Sequence, residues 1–170
     1  MNSVFMKKLI ALFVFCAIGT AIFAQAEIPP YQQYKTVPSV KLILQDSTGW
    51  ELKAKLDKTK PLMLVVFSPE CDHCQQETEE LLANIDKFKH VQIVMATPLP
   101  LDKMRGFIAT YQLNNYPSIT VGRDYAFILP TFFGLKNLPF HAFYNKKKEL
   151  IGGFEGMMSV ETMLRVFPKK

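Results

Sequence analysis

The feature that most limits the possible folds is an unbroken apolar run that ends close to two cysteines. Leu62 to Phe67 is apolar at every position, and Cys71 and Cys74 follow shortly after it. A strand with one side in solvent alternates apolar and polar residues, so this run predicts a strand buried on both faces of a sheet. Gln75 to Phe88, rich in Glu, Leu and Ala, predicts a helix. The two cysteines therefore lie where a buried strand leads into a helix.

The remaining pattern extends this unit into one α/β domain. The other predicted strands are Val40 to Leu44, Trp50 to Leu52, Val91 to Ala96, Ser118 to Val121 and Phe140 to Tyr144, and the other predicted helices are Leu101 to Tyr111 and Val160 to Phe167. The first two strands form a hairpin around Asp46 to Gly49. Tyr125 to Lys136 is ambiguous, although a short helix fits there. This order predicts an α/β fold whose central mixed β-sheet is flanked by helices.

Residues 1–26 have the composition of a secretory signal peptide. Lys7 and Lys8 precede the apolar run Leu9 to Phe23, and small residues follow at Ala24 and Ala26, where a signal peptidase would cut. We expect cleavage after Ala26 and a periplasmic or otherwise exported mature protein. The alternative is an uncleaved anchor, which would be the protein's only attachment to a membrane. The apolar stretch is shorter than the ~20 residues that span a bilayer.

The rest of the chain divides into an arm and a domain. Residues 27–36 contain Pro29 and Pro30 and predict an extended arm or linker. Residues 37–170 have the length of one domain with a single core. Loss of Lys7 and Lys8 with the signal peptide lowers the formal net charge from +5 to +3. That charge is too small to indicate a nucleic-acid partner.

Cys71 and Cys74 would be the two cysteines of the mature chain, because Cys16 lies in the signal peptide. A disulfide across two intervening residues closes almost no loop, so a purely structural bridge is disfavoured. Unpaired N–H groups and the helix dipole favour a thiolate at the helix start, and the thiolate is the attacking species in disulfide exchange. Cys74, one turn further on the same face, is placed to attack a mixed disulfide at Cys71. The pattern predicts a redox-active dithiol.

The residues around the two cysteines leave the reactivity of the pair open. His73 either stabilises a neighbouring thiolate or is an exposed residue without redox effect. Glu70 and Asp72 disfavour a thiolate through their negative charge. Cys71, Cys74 and one histidine make three metal ligands, and the sequence has no second Cys-x-x-Cys and no His-x-x-His. We therefore expect no metal site and no cofactor.

With these motifs the sequence resembles the thioredoxin superfamily, and more closely its exported TlpA/ResA-like branch of thiol–disulfide oxidoreductases. The similarity covers about Val37 to Phe167 and rests on the segments VPSVKLILQDSTGWEL, LMLVVFSPECDHC and NLPFHAFYNKKKELIGGFEG. It implies a thioredoxin-like fold with an added N-terminal β-hairpin. It also implies that Cys71 is the nucleophile, Cys74 the resolving thiol and Pro139 a cis-proline facing them. In the family, the backbone at the position of Leu138 binds a substrate segment.

The sequence departs from the family pattern in three places. Thioredoxins often carry a buried acid six residues before the first cysteine, where this chain has Val65. A carboxylate that assists deprotonation of Cys74 would have to come from elsewhere. His141 is either an active-site neighbour or an ordinary strand residue, and the second interpretation is favoured. Tyr111 to Asn137 matches the family weakly and is expected to set substrate choice.

These observations predict an exported thiol–disulfide oxidoreductase acting on protein thiols or disulfides. A reductase is slightly favoured over an oxidase, and the resemblance implies a membrane redox partner as its electron donor. The alternatives are a thioredoxin-fold copper carrier with His141 as a distant ligand, a thiol peroxidase, and a binding module with an incidental dithiol. The peroxidase alternative rests on Ser68, three residues before Cys71. The two-residue cysteine spacing counts against copper, and Leu64 stands where a peroxidase motif has proline.

Overall fold

The computed structural model describes residues 28–167, so the predicted signal peptide and its cleavage site lie outside the described residues. The strands are β1 (Lys41–Ile43), β2 (Gly49–Glu51), β3 (Leu62–Val66), β4 (Gln92–Thr97), β5 (Ile119–Arg123), β6 (Phe140–Tyr144) and β7 (Leu150–Glu155). The α-helices are α1 (Pro30–Tyr34), α2 (Leu52–Lys55), α3 (Asp72–Ala83), α4 (Leu101–Thr110), α5 (Ile128–Phe133) and α6 (Val160–Val166), with 3₁₀ turns at Ile85–Phe88 and Leu113–Asn115.

All seven strands belong to one mixed sheet in the order β2-β1-β5-β4-β3-β6-β7. The three strands β3, β4 and β5 run parallel to one another, while β6 is antiparallel to β3 and forms a hairpin with β7. The N-terminal hairpin of β1 and β2 is also present, and it joins the sheet through β5. The predicted α/β fold with a mixed sheet and an added hairpin is confirmed.

Strand β3 is buried on both faces because successive side chains enter two different cores. Met63 and Val65 belong to the first core, which α3, α4 and α6 cover. Leu64 and Val66 belong to the second core, which α2 and α5 cover. A strand between two helical layers needs apolar residues at every position, which explains the unbroken run in the sequence.

The topology brings the segment after β3 next to the segment before β6. The two strands are antiparallel, and Val66 near the end of β3 pairs with Phe140 at the start of β6. The residues that follow β3 and those that precede β6 therefore share one edge of the sheet. This edge carries Cys71 on one side and the Leu138–Pro139 peptide on the other.

The segment predicted as an extended arm is instead a short docked helix, α1. Pro30 occupies its first turn, where proline costs no hydrogen bond. The Tyr31 ring packs edge-on against Phe133 and Phe140, with ring centroids 5.6 and 5.8 Å apart. A helix this short is stabilised by such tertiary contacts and not by its own propensity, so the local sequence gave no sign of it.

The Tyr31 contacts predict different stability losses for the two tyrosines of α1. Tyr31→Ala should lower the free energy of unfolding by about 1–2 kcal/mol, since two aromatic contacts are lost. Tyr34→Ala should change it by less than about 0.5 kcal/mol, because Tyr34 is exposed. Urea unfolding of both variants measures the difference. Equal losses would show that α1 does not depend on the Tyr31 contacts.

Within residues 28–167, no helix is both long enough and apolar enough to cross a membrane.

Candidate active site

Cys71 is the N-cap residue of α3, as the sequence predicted. Its backbone is extended, and its sulfur accepts a hydrogen bond from the backbone N–H of Cys74 at 3.4 Å. The N–H groups of the first helical turn have no partners within the helix, so a sulfur at this position can use them. The same groups would stabilise a thiolate, the species that attacks a disulfide. Cys71 is partly exposed and is a free thiol.

Cys74 lies one turn further along α3 and is buried, with 2% of its surface exposed. Burial in the first core, reinforced by the hydrogen bond with Cys71, raises the pKa of the Cys74 thiol well above its ordinary value. A raised pKa keeps this thiol protonated at neutral pH. The two cysteines therefore differ in exposure, which suits different roles in one reaction.

The Leu138–Pro139 peptide bond is cis, and it lies against the cysteines. The sulfur of Cys71 lies 3.9 Å from the carbonyl oxygen of Leu138, across 67 positions of sequence. The Pro139 ring lines a small cavity next to Cys74. The structure thus brings together four of the five site residues named from the sequence.

The fifth residue, His73, is on the exposed side of α3. Of the two acidic neighbours, Glu70 forms an ion pair with Lys103 of α4 at 2.8 Å. A hydrogen bond from the Lys103 ammonium to Glu70 raises the pKa of Lys103. Lys103 thus balances the charge of Glu70 at the surface next to the cysteines.

Glu77 is a site residue that the sequence analysis missed. It lies three residues after Cys74 on the same face of α3, and only 5% of its surface is exposed. Its Oε2 accepts a hydrogen bond from the backbone N–H of Met158 at 2.7 Å. The sequence feature that could have identified Glu77 is helical spacing. Cys74, Glu77 and Leu81 are spaced like the residues of one buried helix face. An acid at such a position is rare unless it is paired.

The partner of Glu77 is His141, and this corrects the expectation that His141 is an ordinary strand residue. His141 lies in β6 and is fully buried, and its Nε2 lies 2.6 Å from Oε1 of Glu77. It pairs in register with Val65, the position where thioredoxins often carry the acid. The buried polar pair therefore lies beside the place where that acid is missing.

Cys74 and Glu77 both line a cavity of about 10 Å³. Met63, Val65 and Pro139 form part of its wall. This volume is close to the smallest that holds one water molecule, and a thiol and a carboxylate are suitable polar partners for that water. Cys74 and Glu77 therefore meet at one small cavity.

The contrast between the cysteines predicts stepwise alkylation of the reduced protein. At neutral pH, iodoacetamide should modify Cys71 well before Cys74, because Cys74 is buried and its raised pKa leaves little thiolate. Mass spectrometry of digests taken over time measures the two rates. In denaturant both cysteines should react at similar rates. Equal rates in the folded protein would contradict the arrangement described here.

Among residues 28–167, no three His, Cys, Asp or Glu side chains are grouped so that they could hold a metal ion. His141, the distant ligand of the copper-carrier alternative, has its Nε2 next to Glu77.

No protein-family model and no curated protein sequence matches the chain. Solved structures do match. DsbF of Mycobacterium tuberculosis is 22% identical with a TM-score of 0.64, covering 77% of this chain and 96% of that one. A secreted disulfide oxidoreductase of the same organism, described as homologous to E. coli DsbE, is 18% identical with a TM-score of 0.63, covering 75% and 93%.

A third match is the peroxidoxin BcpB of Mycobacterium tuberculosis, 15% identical with a TM-score of 0.62, covering 78% of this chain and 95% of that one. Similarity at this level of identity shows the fold. The chain has the thioredoxin-like fold, and the fold that the resemblance implied is confirmed.

Proposed function

We propose that the chain is an exported thiol–disulfide oxidoreductase that exchanges disulfides with other proteins through Cys71 and Cys74. The supporting observation is the asymmetry of the pair. Cys71 is accessible and caps a helix, whereas Cys74 is buried one turn away and its pKa is raised. An accessible nucleophile followed by a protected second thiol is the arrangement that a two-step exchange requires.

The proposed reaction with a disulfide substrate has two steps. The Cys71 thiolate attacks one sulfur of the substrate, so that a Cys71–substrate disulfide forms and the other substrate sulfur leaves as a thiolate. Cys74 then loses its proton and attacks the sulfur of Cys71. The Cys71–Cys74 disulfide forms, the bond to the substrate breaks, and the second substrate sulfur leaves with the electron pair. The substrate is reduced by two electrons and the protein is oxidised by two.

Glu77 is the proposed acceptor of the Cys74 proton. Its buried carboxylate lines the small cavity together with Cys74. It would supply the acid that thioredoxins often have at the position of Val65. A base acts only within hydrogen-bond reach of the proton or through one water, and the cavity has about the volume of one water. Glu77 therefore has the role that a buried acid has in thioredoxins.

Leu138 and Pro139 are the proposed binding site for the substrate segment. The carbonyl oxygen of Leu138 points toward the attacking sulfur, at 3.9 Å, so a segment bound there would hold its disulfide near Cys71. Export to the periplasm or beyond rests on the signal-peptide pattern of residues 1–26. The reductase direction and a membrane-bound electron donor rest on the resemblance to the TlpA/ResA-like branch.

Reduction of insulin by dithiothreitol tests the proposed activity. The purified protein should accelerate the appearance of turbidity at catalytic concentrations, and Cys71→Ser should reduce the rate to that of dithiothreitol alone. The same preparations should consume hydrogen peroxide no faster than a free thiol does. Rapid peroxide turnover without insulin reduction would favour the thiol peroxidase alternative.

A further inference from the structure

Glu77 and His141 form a buried pair close to the cysteines, and the role inferred for this pair rests on the proposed function. Two donors face the two oxygens of the Glu77 carboxylate. The Met158 N–H donates to Oε2, and Nε2 of His141 lies 2.6 Å from Oε1. Contacts on both oxygens fix the orientation of the buried carboxylate. The carboxylate can accept the Cys74 proton only while it is ionised.

The surroundings of His141 indicate how the ring is protonated. Nδ1 is buried and has no hydrogen-bond partner among residues 28–167. A proton on Nδ1 would be an unsatisfied buried donor, so the neutral ring with its proton on Nε2 is favoured. In this form His141 donates to Oε1 of Glu77. The titratable group in contact with His141 is Glu77 of α3. The neighbouring strands place apolar residues beside the ring, Val65 from β3 and Phe154 from β7.

We propose that His141 is a positioning residue for disulfide exchange: it holds the Glu77 carboxylate in place to accept the proton of Cys74 when Cys74 attacks the mixed disulfide at Cys71. Without His141, one oxygen of the buried Glu77 carboxylate would lose its donor, and the side chain would no longer be held where it can accept that proton. Cys74 would then release its proton less readily at neutral pH. The attack by Cys71 does not involve this proton and would keep its rate.

A competing effect of the Glu77 charge is smaller. The negative charge of Glu77 itself disfavours a thiolate at Cys74, so removing that charge would favour deprotonation. Burial of Cys74 is the largest cause of its raised pKa, and the charge of Glu77 ranks last among the causes. Removing that charge alone should therefore change the pKa of Cys74 little.

Reaction with Ellman's reagent separates the two steps. Cys71 attacks the reagent and releases one thionitrobenzoate, and Cys74 then attacks the Cys71 adduct and releases a second. Stopped-flow absorbance from about pH 5 to 9 gives both rates, with every protein carrying Cys16→Ala so that other thiols do not contribute. His141→Phe should leave the first release unchanged. It should slow the second release at neutral pH by about tenfold and move the pH midpoint of that release upward.

Three further variants identify the cause. His141→Gln keeps a donor near the position of Nε2 and should restore most of the second release. Glu77→Gln removes the acceptor and should slow the second release as His141→Phe does. His90→Phe makes the same change at an exposed histidine and should have no effect on either release. An unchanged second release in His141→Phe, or a failure of His141→Gln to restore it, would overturn the proposal.

Two controls keep the outcome clear. If the wild-type protein releases one thionitrobenzoate and no second, dithiol exchange itself fails and the proposed function falls with this inference. If two releases occur and the variants match wild type, the role of His141 alone is wrong. Should His141→Phe not fold, the ¹⁵N shifts of His141 in the wild-type protein decide. A proton on Nε2 agrees with the proposal, and an unprotonated Nε2 contradicts it.

Discussion

Cys74→Ser will accumulate a covalent mixed disulfide with a disulfide-containing substrate protein, and Cys71→Ser will form none. In the proposed mechanism the partly exposed sulfur of Cys71, at the start of α3, makes the first attack, and this step does not need Cys74. Without the second thiol, the adduct has no internal route to release. Non-reducing electrophoresis and mass spectrometry of a mixture with oxidised insulin will detect the adduct, and dithiothreitol will remove it.

The two serine variants are matched controls for each other. Each has one remaining cysteine in the Cys71–Cys74 motif, so simple thiol content cannot explain a difference between them. Cys74 is 2% exposed, and burial raises its pKa, so in Cys71→Ser it should stay unreacted at neutral pH. Adducts of similar yield in both variants would contradict the assignment of Cys71 as the nucleophile.

Phe143→Ala will lower the free energy of unfolding by about 3–5 kcal/mol, the range for removing a fully buried phenylalanine. Phe143 lies in β6 and has no exposed surface. Its ring packs against Phe167 at 5.4 Å and Phe154 at 5.8 Å, and it stacks on His141 at 6.1 Å. The contacts join β6, β7 and the end of α6, so the loss affects the first core as a whole.

Phe154→Ala is the matched control, because Phe154 is 42% exposed and contacts the same ring from β7. It should cost about 1 kcal/mol, the value of one aromatic contact. Urea unfolding measures the free energy of unfolding of both variants. If its slope against urea concentration equals that of the wild type, the shifts in midpoint report changes in stability. A loss of less than about 1 kcal/mol for Phe143→Ala would contradict its place at the centre of the first core.

The features that depend on local pattern were predictable from the sequence. The unbroken run at Leu62 to Phe67 requires a strand with two covered faces, and the structure has β3 there between two cores. Cys71 was placed at a helix start because a strand and a helical pattern meet there, and it is the N-cap of α3. In these places the local sequence and the tertiary fold favour the same structure.

The features that depend on distant residues were not predictable in this way. Helix α1 is stabilised by contacts of Tyr31 with Phe133 and Phe140, more than 100 positions later. Glu77 and His141 are 64 positions apart, and only the alignment of α3 over β6 brings them together. The sequence showed that an acid was missing at Val65. It did not show which residue would lie in its place, because that depends on packing across the sheet.

The most direct test of the redox role is the reduction potential of the Cys71–Cys74 pair. The protein, with Cys71→Ser as control, is equilibrated in glutathione buffers of graded ratio, and the disulfide fraction is measured by mass spectrometry after acid quenching. We expect one two-electron transition near −250 mV or lower, as for thioredoxin-type reductants, whereas a value near −120 mV would reverse the proposed direction. If no Cys71–Cys74 disulfide forms at any ratio, the pair is not a redox centre, and the central claim is wrong.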